Sequence, residues 1–139
     1  MTTARDIMST GVSWVSASNT VLHAAKRMAA DAVGSLPIRG EDGNLQGMIT
    51  DRDIVVKVLA AGKDPQALHA GELTQDQPLV TIGPDDDASA ILRTMADHQV
   101  RRLPVMDGDE LVGIVAQADV ARALDNPRVG ELVEALSTD

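Results

Sequence analysis

The chain has 139 residues, of which 44% are hydrophobic and 24% are charged, and its formal net charge is −9. This length allows one ordinary domain or two very small ones. The acidic balance argues against duplex DNA, RNA or an anionic membrane as the main partner, because each of these needs a basic protein face. The lack of cysteine excludes disulfides, thiol nucleophiles and thiolate metal sites.

The apolar residues include one Trp but no Phe or Tyr. A core of Val, Leu, Ile, Ala and Met buries a modest area per residue, so we expect a homodimer that buries more. The N-terminus has no secretory signal pattern, and no apolar run approaches the ~18 residues of a membrane span. We therefore expect a cytoplasmic protein.

The first half of the chain predicts a helical turn, a short strand, a helix, a hairpin and a second helix. In order, these are a turn over 4–8, a strand over 12–15, a helix that Ser18 or Asn19 caps and Gly34 ends, strands over 35–39 and 45–50, and a helix over 51–61. Pro37 predicts that its strand is an edge strand or begins outside the ladder, because proline has no N–H to donate.

The second half of the chain predicts the same order of elements. These are a strand over 79–82, a helix capped within Asp85–Asp87, strands over 102–106 and 110–115, and a helix over 117–124. Capping and solvation are the expected uses of the three consecutive aspartates, ahead of cation binding. Gly71-Glu72-Leu73 recurs as Gly130-Glu131-Leu132, which predicts a short C-terminal helix over 128–136.

The two halves form a tandem duplication with units at 5–62 and 70–125. Leu36-Pro37 matches Leu103-Pro104 at a shift of 67, and after a one-residue deletion Asp53 matches Asp119 at a shift of 66. Each β-α-β-β-α unit is too small to bury both faces. The predicted fold is therefore α+β, with the two units packed sheet against sheet about a pseudo-two-fold axis.

Thr50 and Asp53 stand where the second hairpin strand of the first copy passes into a helix. A carboxylate there can accept hydrogen bonds from a ribose diol, and a hydroxyl at a helix N-terminus suits phosphate. Helix capping is the commonest alternative use of the same two residues. Arg52, Arg101 and Arg102 are the candidate cations for admitting an anion to an acidic protein.

These paired units, each with a Leu-Pro dipeptide, a glycine-containing hairpin and a Gly-x-x-Thr-x-x-Asp or similar end, resemble a tandem pair of CBS (cystathionine-β-synthase) domains. The resemblance covers about residues 5–125 and implies a stand-alone regulatory protein of the stress-response kind. It implies that AMP, ADP or ATP binds in clefts between the repeats and is sensed by a conformational or oligomeric change. It implies no catalytic residues, no required cofactor and an unknown protein target.

The resemblance also implies two sets of ligand contacts. The first cleft would use Thr50 for phosphate and Asp53 for ribose, with a base wall of Thr81, Ile82, Val100, Arg102, Leu103 and Pro104. The second would use Asp119, with Val15, Ser16, Val33, Ser35, Leu36 and Pro37. Ala116 replaces the expected hydroxyl in the second copy, so the first cleft, with Arg101 and Arg102, is the better predicted site.

Two other roles are open from the residues themselves. The chain could be a dimeric interaction module with no physiological nucleotide, since its helices carry small aliphatic faces. Catalysis is a distant third, because no nucleophile, base and orienting group stand together in the sequence. The three histidines, His23, His69 and His98, show no metal-ligand spacing, so no metal site is predicted.

Overall fold

The computed structural model describes residues 2–75 and 77–124, and the predicted C-terminal helix over 128–136 lies outside them. Two compact units divide the chain. We call residues 12–79 the first-repeat unit, and residues 2–11 together with 80–124 the second-repeat unit. Each combines helices with a small sheet, so the predicted α+β class is confirmed.

The secondary structure follows the predicted order. The elements are α1 (Ala4–Ile7), β1 (Val15–Ser16), α2 (Val21–Asp31), β2 (Ser35–Arg39), β3 (Leu45–Thr50), α3 (Asp51–Asp53) continued by a π-helical segment (Ile54–Leu59), a 3₁₀ helix (Ala70–Thr74), α4 (Ala88–His98), β4 (Arg102–Asp107), β5 (Glu110–Ala116) and α5 (Gln117–Ala123).

The sheet of the first-repeat unit has the order β1-β2-β3, with β1 parallel and β3 antiparallel to β2. Of the two alternatives predicted for the strand of Pro37, the edge position is wrong because β2 lies in the centre, whereas the ladder with β1 does begin after Pro37. A proline is tolerated there because β1 is short and pairs only with Ile38 and Arg39. Pro37 lies beyond the end of β1, where it has no β1 partner.

Helix α2 begins later than the sequence predicts. Thr20 is its N-cap, and its side chain accepts a hydrogen bond from the His23 N–H at 3.0 Å. The predicted caps were Ser18 and Asn19, and the Asn19 side chain instead accepts the Ser16 N–H at 2.8 Å. Asn19 therefore closes the turn that follows β1, and leaves the helix start to Thr20.

The ends of two helices also differ from prediction. Ala32, not Gly34, terminates α2 in the left-handed region with φ 55°. The helix predicted over 51–61 starts as one α turn and then widens, since the Ala60 N–H bonds to the Val55 carbonyl five residues back at 2.8 Å. Such π segments occur often at functional positions.

The second-repeat unit contains the antiparallel pair β4-β5. The strand predicted over 79–82 is reduced to one parallel bridge between Ile82 and Val105, which matches the Val15–Ile38 pair of the first repeat. Asp87 caps α4 as predicted, accepting the Ala90 N–H at 2.8 Å.

Each unit has its own aliphatic core. The first-repeat core consists of Val15, Val21, Ala24, Met28, Leu36, Ile38, Ile49, Ile54, Val58 and Ala70. The second-repeat core consists of Ala4, Ile82, Ile91, Leu92, Met95, Leu103, Val105, Val115 and Val120. None of these residues is aromatic, as the composition requires.

Each sequence repeat begins with a short lead-in segment, which is α1 in the first repeat and the 3₁₀ helix in the second. Each lead-in packs on the body of the other repeat. The Ala4 N–H of α1 bonds to the Asp86 carbonyl at 2.9 Å, inside the second-repeat unit. The Ala70 N–H of the 3₁₀ helix bonds to the Asn19 carbonyl at 2.8 Å, inside the first-repeat unit. Both alanines are 0% exposed, so each lead-in is part of the core it joins.

Candidate functional site

Thr50 and Asp53 meet in a reciprocal capping arrangement at the junction of β3 and α3. The Thr50 hydroxyl oxygen accepts the Asp53 N–H at 3.1 Å, and Asp53 Oδ2 accepts the Thr50 N–H at 3.0 Å. The Asp53 side chain is only 15% exposed. Capping therefore fixes both side chains, and the carboxylate keeps lone pairs that the cap does not use.

Lys57 is a neighbour of this junction that the sequence-based prediction missed. Its ammonium lies 3.3 Å from Asp53 Oδ1 and also donates to the Leu73 carbonyl at 3.3 Å. The i, i+4 spacing of Asp53 and Lys57 is the sequence signal that could have identified the ion pair. Lys57 places a positive charge beside the carboxylate proposed for ribose.

The second repeat has a similar junction between β5 and α5, but without the capping hydroxyl. Asp119 Oδ2 accepts the Ala116 N–H at 2.7 Å, and Asp119 Oδ1 accepts a hydrogen bond from Arg122 Nη2 at 2.5 Å. The Asp119 side chain is 13% exposed. Ala116 has no hydroxyl to complete the cap, so this end of the repeat has the carboxylate without the oxygen that Thr50 provides.

A cavity of about 400 Å³ lies beside Asp119 within the second-repeat unit. Its lining residues come from the N-terminal segment and from α5 and are Thr2, Asp6, Ile7, Asp119, Arg122 and Ala123. Position 123 corresponds to position 57 of the first repeat, so the cavity lies where an alanine replaces a lysine. At the matching position of the first repeat, the Lys57 ammonium pairs with the Asp53 carboxylate.

The residues just before β2 and β4 tie down the helix starts of their own repeats. The Asp51 N–H bonds to the Gly34 carbonyl at 2.9 Å, and the Gln117 N–H bonds to the Arg101 carbonyl at 2.7 Å. In the strand register Arg102 stands opposite Ala116. Arg102 is half-buried, whereas the side chains of Arg52 and Arg101 are exposed.

The predicted base-wall residues fall into two groups, and their contact with a ligand stays a prediction. Seven are buried in their own units, namely Val15, Ser35, Leu36, Pro37, Ile82, Leu103 and Pro104. Ser16, Val33 and Thr81 are exposed, and Val100 is half-buried. The buried aliphatic members Val15, Leu36, Ile82 and Leu103 therefore pack in the cores whether or not their backbones meet a ligand.

The single aromatic residue has a cation for a neighbour. The Arg39 guanidinium carbon lies 4.3 Å from the centre of the Trp14 ring, which is cation–π geometry. Trp14 itself is half-buried. This contact gives Trp14 a packing role within its unit.

Within 2–75 and 77–124, no three His, Asp or Glu side chains gather as a metal site. No helix in that part of the chain is both long and apolar enough to cross a bilayer.

These repeated junctions and small sheets define a tandem pair of CBS domains. The CBS domain family model matches residues 4–60 and 70–126, and the chain belongs to that family. Hypoxic response protein 1 of Mycobacterium tuberculosis is 46% identical over 136 residues, which cover 98% of this chain and 94% of that protein. The family resemblance predicted from the sequence is confirmed.

Solved structures share the fold. A crystal structure of Hypoxic Response Protein I with two coordinated zinc ions has a TM-score of 0.78 and 49% identity, and the match covers 89% of this chain and 100% of that chain. A crystal structure of CBSX2 in complex with AMP has a TM-score of 0.71 and 24% identity, covering 88% and 96%. The likeness to CBSX2 shows the fold alone.

Proposed function

We propose that this protein is a regulatory module that binds an adenine nucleotide, with its better site built on Thr50 and Asp53. The Asp53 carboxylate carries the proposal, because it is 15% exposed, fixed at a helix start and left with lone pairs after capping. A ribose diol is a natural complement to such a carboxylate, and the neighbouring backbone N–H groups suit phosphate. Membership of the CBS domain family supports the same ligand class.

The remaining ligand contacts are those that the family resemblance implies. Ile82 and Leu103 are 4% and 1% exposed, so we expect them to offer backbone groups to the base. Arg101 and Arg102 would supply the positive charge that an anion needs in a chain of net charge −9. The site on Asp119 would be weaker, because Ala116 offers no hydroxyl.

Calorimetric titration with AMP, ADP and ATP tests this assignment. We expect Asp53→Asn to lose binding, since the amide oxygen can still accept the Thr50 N–H while the negative charge is gone. The matched variant Asp119→Asn should keep the stronger site. The unfolding midpoints of wild type and Asp53→Asn would show whether both proteins are folded. If they are, equal affinity for the nucleotide would refute the assignment.

A second candidate role, self-assembly, is favoured by an exposed apolar face on the π segment. Val55, Val56 and Leu59 are 54%, 51% and 57% exposed. The matching residues of the second repeat are Ala121, Arg122 and Asp125. Two of these three positions carry a charge in the second repeat, so apolar residues there are not a general feature of the repeat, and their presence in the first repeat points to a partner surface.

We propose a second copy of this chain as the partner for that face. Asp51 precedes the face and Lys63 follows it, so antiparallel pairing of two such helices would bring opposite charges together. Sedimentation should show a dimer that Val56→Arg converts to monomer. Leu79→Arg, which charges an exposed apolar residue away from this helix, should leave the dimer intact; dissociation by both variants would contradict the choice of face.

We also propose that the protein acts in the cytoplasm, has no catalytic activity and requires no metal. Zinc belongs to the structure of Hypoxic Response Protein I, whereas this chain has no cysteine to serve as a thiolate ligand. Chelation with EDTA should therefore leave the unfolding midpoint unchanged. A lower midpoint after chelation would contradict the metal-free proposal.

A further inference from the structure

Lys57 bridges two parts of the first-repeat unit that are distant in sequence. Its ammonium is 3.3 Å from the Asp53 carboxylate and 3.3 Å from the carbonyl oxygen of Leu73, to which it donates a hydrogen bond. Leu73 belongs to the 3₁₀ helix Ala70–Thr74, the lead-in of the second repeat. One cation thus joins the candidate ribose carboxylate to the segment through which the chain leaves this unit.

The second repeat shows what the junction looks like without this bridge. The residue that matches Lys57 is Ala123, and the residue that matches Leu73 is Ile7. Both line the cavity of about 400 Å³ beside Asp119. Arg122 pairs with Asp119 from an exposed position, its side chain being 72% exposed, and it leaves this cavity unfilled. The bridge is therefore a specific feature of the first repeat rather than a requirement of the fold.

We propose that Lys57 is a positioning residue that couples occupancy of the Asp53 site to the 70–74 helix. This inference rests on the proposed nucleotide function. A ligand phosphate competes for the Lys57 ammonium, because a charged oxygen is a stronger acceptor than the neutral Leu73 carbonyl. Binding then removes the hydrogen bond that holds Leu73 and loosens the 3₁₀ helix, while adenosine, which has no phosphate, leaves that bond in place.

Lys57 holds the Leu73 end of the segment, whereas the other hydrogen bonds to the body of the unit hold its first two residues, including the bond from Gln46 Nε2 to the Gly71 carbonyl at 3.4 Å. The Ala70 N–H bonds to Asn19 and the Gly71 N–H bonds to Ala17, at 2.8 and 3.0 Å. The Thr74 hydroxyl bonds within the segment, to the Gly71 carbonyl at 3.2 Å. Loss of one hydrogen bond to a charged group should raise local amide exchange by roughly tenfold.

Hydrogen exchange of the full chain, measured over residues 70–75 with and without saturating AMP, tests the coupling. In wild type we expect AMP, but not adenosine, to raise exchange there by roughly tenfold. Lys57→Met should show the raised exchange without ligand and no further change with AMP. Lys57→Arg should restore the AMP response. Lys26→Met, at an exposed position of α2, is the control for a lost lysine charge and should behave as wild type.

The outcomes separate this inference from the proposed function. If calorimetry shows no AMP binding to wild type, the nucleotide proposal fails and the coupling fails with it. If AMP binds but exchange at 70–75 is unchanged, or changes equally in Lys57→Met, only the coupling is overturned. Ala123→Lys should build the matching bridge in the second repeat, and so lower hydrogen exchange over residues 4–8 in the ligand-free protein. No change in exchange there would also count against the coupling.

Discussion

Gly113 lies against Met8 so closely that a Cβ on Gly113 would be 2.6 Å from Met8 Sδ and 2.8 Å from the Ser9 carbonyl oxygen. The approach is set by two backbone hydrogen bonds between Ser9 and Ile114, at 2.9 and 3.0 Å. Glycine is needed here to let one backbone pass another, and not for an unusual backbone angle.

Gly113→Ala should destabilise the protein by about 1–3 kcal/mol, the usual effect of overpacking a closed contact. A urea unfolding curve measures the loss as a lower midpoint. Gly83→Ala is the control, because its added Cβ would meet nothing nearer than an Asp86 oxygen at 3.7 Å. Equal midpoints for the two variants would show that the lead-in does not press on β5.

Ala116→Thr should stabilise the protein by about 1 kcal/mol, the usual contribution of an N-cap side chain. Ala116 has φ −100° and ψ 159°, close to the φ −117° and ψ 160° of Thr50, so a threonine fits without backbone change. The new hydroxyl should accept the Asp119 N–H as Thr50 accepts that of Asp53. The reverse variant, Thr50→Ala, should lower the midpoint in chemical unfolding, and a matching drop for Ala116→Thr would contradict the cap.

The contribution of Asp6 to stability should depend on pH. Its carboxylate accepts the Thr3 N–H at 2.9 Å and the Thr3 hydroxyl at 3.1 Å, and these bonds hold the pKa of Asp6 below its ordinary value. A lowered pKa in the folded state stabilises the protein above the unfolded pKa, and this stabilisation is lost as pH falls through the folded pKa.

Thermal unfolding of wild type and Asp6→Asn between about pH 6 and pH 3 checks this sign, since ordinary aspartates titrate near pH 4. The wild type should be the more stable of the two at the upper end, and the two midpoints should converge as pH falls. Asp97→Asn, at an exposed position of α4, serves as a control for removal of one carboxylate. A gap that stays constant over the range would exclude the Thr3 bonds as its source.

The contact of Arg39 with Trp14 should be visible in fluorescence, since Trp14 is the sole aromatic residue. Arg39→Ala uncovers one face of the indole ring, so emission should shift to the red as water reaches it. The lost contact should also cost about 0.5–1 kcal/mol of stability. Unchanged emission in Arg39→Ala would mean that the guanidinium does not cover the ring in solution.

Much of the fold could be predicted because its signals are local. The hairpin strands Ser35–Arg39 and Leu45–Thr50 were predicted with the bounds that the structure shows, from turn residues and apolar runs. The features that were not predicted depend on contacts between residues distant in sequence. Pro37 gives no sign that its partner strand is too short to reach it, and Ala32 ends α2 before the glycine that local propensity favours.

The candidate site could be predicted only in part. Sequence spacing identified Thr50 and Asp53, because their capping arrangement is closed within four residues. It could not identify the bond from Lys57 to Leu73, since the acceptor is a backbone carbonyl 16 residues away and carries no residue-type signal. The sequence also carried no sign of the cavity beside Ala123, because its other wall comes from the N-terminal segment, more than 100 residues away in sequence.

The crossed lead-ins give the two units different demands on the chain. The first-repeat unit completes its core from the continuous stretch 12–79, because the 3₁₀ helix follows its body in sequence. The second-repeat unit must bring Ala4 into its core from the far side of that whole stretch. Closing the second core is therefore the more non-local step of folding, and the more costly one in loop-closure entropy.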